Sequence, residues 1–333
     1  MTRTAMLGTV RKSQPSAQDV HVDAILQDIA IRYQNDPANF IAGQVFPVVP
    51  VAKQTNKYFK YSKNDWFRDE AKLRGESEES AGSGYTLATD SYTCDVFAFH
   101  KDVAWRIQQQ SDNPLRPDQD ATQLVMQRLM LRQEIQWATD YWTTGIWATD
   151  KVGTTDFVKW NDYAGSDPID DIEAGKQSML FTTGIMPNTL VLGWLCWRRL
   201  KQHPDIRSQV IPGDRVITPA RLAELLEIDR IIIAKAMKAT NVEGGTAAYA
   251  AAVTNDSALL CYAAPAPSIT TPSAGYTFAW RGVSGDEGVT GATVGVTRVP
   301  IPIKRTDRIE GEIAFDHKVV ATDLGYFFSD AVD

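Results

Sequence analysis

The chain of 333 residues is poor in the residue types that carry most protein chemistry. It holds three cysteines, Cys94, Cys196 and Cys261, far apart and never as Cys-x-x-Cys. An odd, scattered set excludes a disulfide framework and points to reduced thiols packed as small core residues. The four histidines, His21, His100, His203 and His317, include no two that lie three or four positions apart. That spacing offers no local zinc site, so exposed or hydrogen-bonded imidazoles are expected, with no metal and no cofactor. No apolar run reaches the length needed to cross a bilayer, and the first twenty residues lack an apolar signal core. No membrane association is expected, and synthesis in a cytosol-like compartment is. Basic clusters are also missing, and the net charge is -7. A protein that grips phosphate backbone draws affinity from released counterions and is usually basic.

Catalytic signatures are equally scarce. There is no Gly-x-Ser-x-Gly elbow. The glycine-rich residues 282–295 lack the Lys-Ser/Thr of a phosphate loop and run into a strand, so a hairpin is expected there. Glu310 and Glu312 share one strand face, the usual place for solvated acids.

What is present is enough apolar content, 44%, for a substantial core. Residues 1–20 are polar and aperiodic, and residues 23–33 show helical spacing at Ile25, Ile29 and Ile31. Pro37, Pro47 and Pro50 then punctuate an extended stretch. The strongest helix is expected over residues 118–145, capped by Asp118 or Asp120. Its apolar row is Leu124, Leu131, Ile135, Ala138 and Trp142, widened by Val125, Leu129 and Met130. At 1.5 Å per residue it would be about 40 Å long, a spine for other elements. Asp167-Pro168 and Thr218-Pro219 each read as a cap followed by a first-turn proline. Short buried strands follow in "NTLVLG", "RIIIAKAM" and "SALLCYAA", and the C-terminal part from Tyr276 is mostly strand. Strands, a spine helix, a mixed middle and closing strands make an α+β fold rather than a βαβ repeat.

Residues 64–87, "NDWFRDEAKLRGESEESAGSGYTL", do not fit a self-sufficient core. Trp66 and Phe67 are followed by Arg68, Asp69, Glu70, Lys72, Arg74, Glu76, Glu78 and Glu79. So polar a segment buries too little apolar surface to offset its ordering entropy. The flanks, "KYFKYSK" and residues 85–100, read as two strands of a long tongue. On the second strand Tyr92, Cys94, Val96 and Ala98 would share one face, with Phe97 and Phe99 on the other. An isolated hairpin is marginal in water, so Trp66 is expected to pack on another subunit.

The order of arm, tongue, spine, mixed lobe and closing strands resembles that of HK97-type major capsid proteins of tailed bacteriophages. The wording "NFIAGQVFPVVPVAKQTNKYFKY", "DWFRDEA", "VFAFHKDVAWRI", "NTLVLG", "LLCYAAPAPSITTPSAGYTFAW" and "EGEIAFDHKVVATDLGYFFSDAV" carries the resemblance over nearly the whole chain. It implies an N-terminal arm (1–54), an extended loop over a neighbour (55–100), a peripheral domain (101–185 and 270–333) and an axial domain (186–269). It implies no enzyme but a shell subunit, forming hexons and pentons around double-stranded DNA without sequence-specific binding. The residues from Trp66 to Glu79 named above would make inter-subunit contacts. The short arm implies a separate scaffolding protein, with a portal and a cement protein as further partners. The chain would occupy the virion capsid, after assembly in the host cytoplasm. An encapsulin-like compartment shell shares this fold and stays open as an alternative, as does a soluble α+β hydrolase.

Overall fold

Proline and acidic residues set the helix starts. In the computed structural model, residues 34–111, 115–209, 216–266, 271–282 and 295–333 are described. The expected arm helix at residues 23–33, His21 and most of the glycine-rich connection lie outside them. The Asp167 carboxylate accepts the Ile169 and Asp170 N–H groups at the start of helix Pro168–Thr183. That helix ends at Gly184, whose φ of 71° favours a residue without Cβ. Thr218 Oγ1 likewise accepts Arg221 N–H ahead of helix Pro219–Leu225. The spine helix runs Pro117–Tyr141, 25 residues, and ends short of Gly145. Asp118 and Asp120 are not its caps: Arg116 holds that position, and the two acids sit in the first turn, where the helix dipole favours negative charge.

Two five-stranded sheets hold the chain together. In the first, Val48–Val51 runs parallel to Gly275–Trp280, which pairs antiparallel with the long strand Thr306–Val319. Gly295–Ile301 and Asp95–Ala104 flank that long strand on its two edges, both antiparallel. Ile309, Ile313 and Phe315 point from it into a cluster with Val103 and the spine residues Ala121, Val125 and Leu129. The strict alternation of that strand thus delivers its apolar face to the spine.

The second sheet has the order Thr149–Val152, Gly325–Ser329, Ala258–Cys261, Thr189–Leu192, Arg230–Ile233. Its inner strands read as continuous apolar runs because both faces are covered. Residues 186–269 supply three of its five strands. The other two come from residues 149–152 and 325–329, segments the sequence reading placed with the other domain. A large core joins it to the end of the spine, through Trp137, Trp142, Trp147 and Trp160.

Two expectations need correction. The spine buries Ala121, Val125, Leu129 and Trp137, whereas Leu124 is 40% exposed and Leu131 and Ile135 are only partly covered. Of the expected stripe, Ala138 and Trp142 meet the large core and Val125 and Leu129 the cluster under the first sheet. The helix has two apolar faces, and periodicity alone does not choose between them. Second, residues 85–100 are not one strand. Leu87–Thr93 pairs with Thr55–Tyr61, and Asp95–Ala104 pairs with the long strand. The break falls at Cys94, which is fully buried. Tyr92 and Cys94 therefore face the core while Val96 is 45% exposed. The three cysteines are free and buried, as their spacing implies.

Candidate inter-subunit surface

The tongue begins as the two-stranded ladder Thr55–Tyr61 with Leu87–Thr93, in register from Thr55 opposite Thr93 to Tyr61 opposite Leu87. Its root is tied firmly to the body. Tyr92 stacks on Phe278 with centroids 4.5 Å apart, and Tyr58 lies 5.3 Å from the same ring. Thr93 N–H donates to the Asp316 carboxylate at 2.9 Å. Past the other end of the ladder, Lys63 Nζ also pairs with Asp323 of the body. On the ladder itself, Asp90 accepts from Lys60 and Tyr58; these bonds, the Lys60 one first, hold its carboxyl down at about 2.

Beyond the ladder the chain forms one helical turn, Lys63–Trp66, and then no regular element until Leu87. Every residue from 66 to 91 is exposed. Trp66, Phe67, Arg68, Asp69, Glu70, Lys72, Arg74, Glu76, Glu78 and Glu79 are therefore brought together on one exposed projection, with the Phe67 ring turned towards Gly184 of the body. The side chains there bond locally. Asp65 accepts Thr86 N–H at 2.7 Å, which joins the two sides of the tongue and lowers the Asp65 carboxyl. Arg68 reaches Asp65 and Glu70, each at 3.6 Å. Arg74 Nε donates to Glu78 O at 2.7 Å, closing a turn around Gly75. Exposed pairs of this kind contribute little to stability, about 0–1 kcal/mol.

Apolar groups share the surface. Trp66, Tyr61 and Tyr85 form a triangle with centroid separations of 6.1, 5.9 and 6.4 Å. Trp66 is 66% exposed, Tyr85 66% and Leu73 102%. Phe59 and Leu87 add to the same projection. The body approaches through Gly184, where the Phe67 ring lies 3.3 Å from the point a Cβ would occupy. Sequence reasoning missed Phe59, Tyr61, Leu73, Tyr85 and Leu87. The alternation in "KYFKYSK" puts Phe59 and Tyr61 on one face and was the available signal.

The rest of the molecule offers different chemistry. Among the described residues no group of three or more His, Cys, Asp or Glu is placed to hold a metal. A depression of about 480 Å³ lies between the start of the spine and the strand Gly295–Ile301. Arg298 on its wall is held by Asp118 at 3.2 Å and by Asp307, an arrangement that ties elements together. His203 and His317 are buried and bonded, to Ser166 at 3.0 Å and to Thr277 at 2.8 Å. Glu310 and Glu312 sit on the long strand, Glu310 opposite His100 and Glu312 opposite Ala98 across the ladder. No helix among the described residues is long and apolar enough to cross a membrane.

No family model matches the chain. Two curated relatives do. The major capsid protein of Burkholderia phage BcepMu is 28% identical over 221 residues, 66% of this chain and 70% of the relative. The major capsid protein of Pseudomonas phage JBD67 is 26% identical over 325 residues, 93% of this chain and 97% of the relative. Among solved structures, a phage-related protein from Bordetella bronchiseptica RB50 superposes with a TM-score of 0.65 at 20% identity, covering 90% of this chain and 93% of that one. The capsid of cyanophage P-SCSP1u gives 0.58 at 11% identity, covering 98% of each. The chain has the HK97-type capsid fold, and its curated relatives are structural capsid proteins rather than enzymes.

Proposed function

We propose that this chain is a major capsid protein, the repeated subunit of a closed icosahedral head shell around the double-stranded DNA of a tailed phage. The observation that carries the reading is the tongue: a firmly rooted, solvent-exposed projection whose aromatic triangle and mixed charges find no cover among the described residues. Covering an aromatic side chain of this size contributes on the order of 2–3 kcal/mol. Mixed charges around such a patch favour register and geometry more than affinity. Each contact can stay weak because many close together around a shell, and head-to-tail contacts close into rings where the rotation permits.

In this reading the residues from Trp66 to Glu79 named above lie over a neighbouring subunit. Residues 1–54 act as an arm, 55–100 as the extended loop, 101–185 and 270–333 as the peripheral domain, and 186–269 as the bulk of the axial domain. A separate scaffolding protein, a portal and a cement protein are its partners, and the acidic balance fits DNA that is contained rather than clasped. Assembly takes place in the host cytoplasm and the product is the virion capsid. The phage origin of both curated relatives favours this over a compartment shell with enzyme cargo.

Electron microscopy of the purified chain tests the reading. Shells of uniform diameter are expected; a small monodisperse species at high concentration would overturn it. Deleting residues 68–79 tests the tongue: the body should still fold, by circular dichroism, and closed shells should fail. Normal shells from the deletion would remove the role assigned to it.

A further inference from the structure

Two large apolar side chains are the most exposed of their kind among the described residues, Leu73 at 102% and Ile303 at 98%, and each sits on a projecting turn. Leu73 precedes the turn that Arg74 closes around Gly75 in the tongue. Ile303 lies in the turn between the strands Gly295–Ile301 and Thr306–Val319. That second turn is stiff. Pro300 and Pro302 fix φ on either side of Ile301. Lys304 and Arg305 N–H donate back to the Ile301 and Pro302 carbonyls, each at 3.1 Å, and the Arg305 carbonyl accepts Trp105 N–H, also at 3.1 Å. An apolar side chain held out on a rigid turn loses little freedom when a partner covers it.

The two tips carry opposite charge. Lys304 and Arg305 follow Ile303, both exposed, and neither side chain forms an ion pair or hydrogen bond among the described residues. After Leu73 the tongue presents Glu76, Glu78 and Glu79. Glu78 accepts Gly75 N–H at 3.4 Å, while Glu76 and Glu79 have no ion-pair partner among the described residues. The tips also belong to opposite ends of one strand. The Ile303 turn comes just before Thr306, whereas Thr93 at the tongue root bonds to Asp316, about ten residues further along and so about 34 Å away at about 3.4 Å per residue. The Lys63–Asp323 pair carries the tongue past the end of that strand at Val319. One chain therefore holds the two halves of a contact apart, and a second copy supplies the missing half.

We propose that the tongue tip of one copy docks on the 302–305 turn of a second copy, with Leu73 against Ile303 and with Glu76 and Glu79 facing Lys304 and Arg305. This rests on the tongue being an inter-subunit contact and adds where it lands. The contact is head-to-tail: each copy gives its tongue to one neighbour and offers its turn to another, the arrangement that closes into rings. The apolar pair supplies attraction, and the flanking charges set the register and disfavour the meeting of like tips.

The test uses full chains carrying Leu73→Cys and full chains carrying Ile303→Cys, assembled as an equal mixture, oxidised with diamide and run under denaturing, non-reducing conditions. The native thiols are buried. A disulfide-linked dimer is expected from the mixture and from neither variant alone. Dimers from either variant alone, with none added by mixing, would show like tips meeting and overturn the assignment. Charge reversal gives an independent reading. Lys304→Glu with Arg305→Glu should raise the protein concentration needed for assembly about tenfold or more, and adding Glu76→Lys with Glu79→Lys to the same chain should restore it. All these positions are exposed, so circular dichroism of the subunit should not change. Reversal without effect, or without rescue, would sink the proposal. Normal shells that give no mixed disulfide would sink it too, while leaving the tongue's role to be judged by the deletion of residues 68–79. Failure of the unsubstituted chain to form shells would remove both.

Discussion

One oxygen of the buried Glu134 carboxylate accepts the backbone N–H groups of both Ile41 and Ala42, each at 2.9 Å. The other oxygen is buried and has no hydrogen-bond partner among the described residues. A single spine residue thus anchors the segment that leads from the arm into the first sheet. Burial pushes its carboxyl up to about 7, against the two N–H bonds that favour the charged form.

That carboxyl and His317 give opposite pH signatures. Glu134 takes up a proton more readily folded than unfolded, so its contribution falls as pH rises from about 4.5 to about 7. Burial drives His317 down to about 4, so its contribution is complete above about 6.5 and is lost as pH falls towards 4. Each limb is worth roughly 3 kcal/mol, and they offset each other where they overlap. Glu134→Gln keeps an acceptor oxygen and removes one limb. Denaturant unfolding of the unassembled variant should show stability rising from pH 4 to 6.5 and then levelling. A pH profile identical to that of the unsubstituted chain would contradict the linkage.

Trp66→Ala and Tyr85→Ala should separate assembly from folding. Both side chains are two-thirds exposed. Subunit stability should change by no more than about 0.5 kcal/mol, while the protein concentration needed for assembly rises about tenfold or more. Light scattering against concentration, with denaturant unfolding on the same samples, checks both halves.

Gly193 should tolerate no side chain. A Cβ there would lie 2.3 Å from the Asn255 carbonyl oxygen, a backbone atom that cannot step aside cheaply. Gly193→Ala should destabilise the chain by about 2–4 kcal/mol, read as a lowered denaturation midpoint with an unchanged slope.

The cysteines should be silent. Burial raises Cys94 and Cys261 to about 12, and Cys196 well above the ordinary thiol range. A thiol titrant at pH 8 should find no reactive group in the native chain and three after denaturation. Rapid native labelling at any of the three would contradict the burial.

The sequence by itself determined the local events. Asp167-Pro168 and Thr218-Pro219 start helices where they stand because a cap and a fixed φ act within one turn. The alternation around Ile309, Ile313 and Phe315 marks a half-buried strand wherever that strand is placed. The charge density after Phe67 forbids a private core, which is why the tongue was legible before its position was. Only the tertiary structure decided which of the spine's two apolar faces is buried, that the chain changes sheets at Cys94, and that the second sheet recruits Thr149–Val152 and Gly325–Ser329. It also turned Glu134, an ordinary acid in the middle of a helix, into the anchor of a segment 92 and 93 positions away. Local periodicity reports that a face is apolar; what meets that face depends on partners distant in sequence, whose pairing free energy no short window contains.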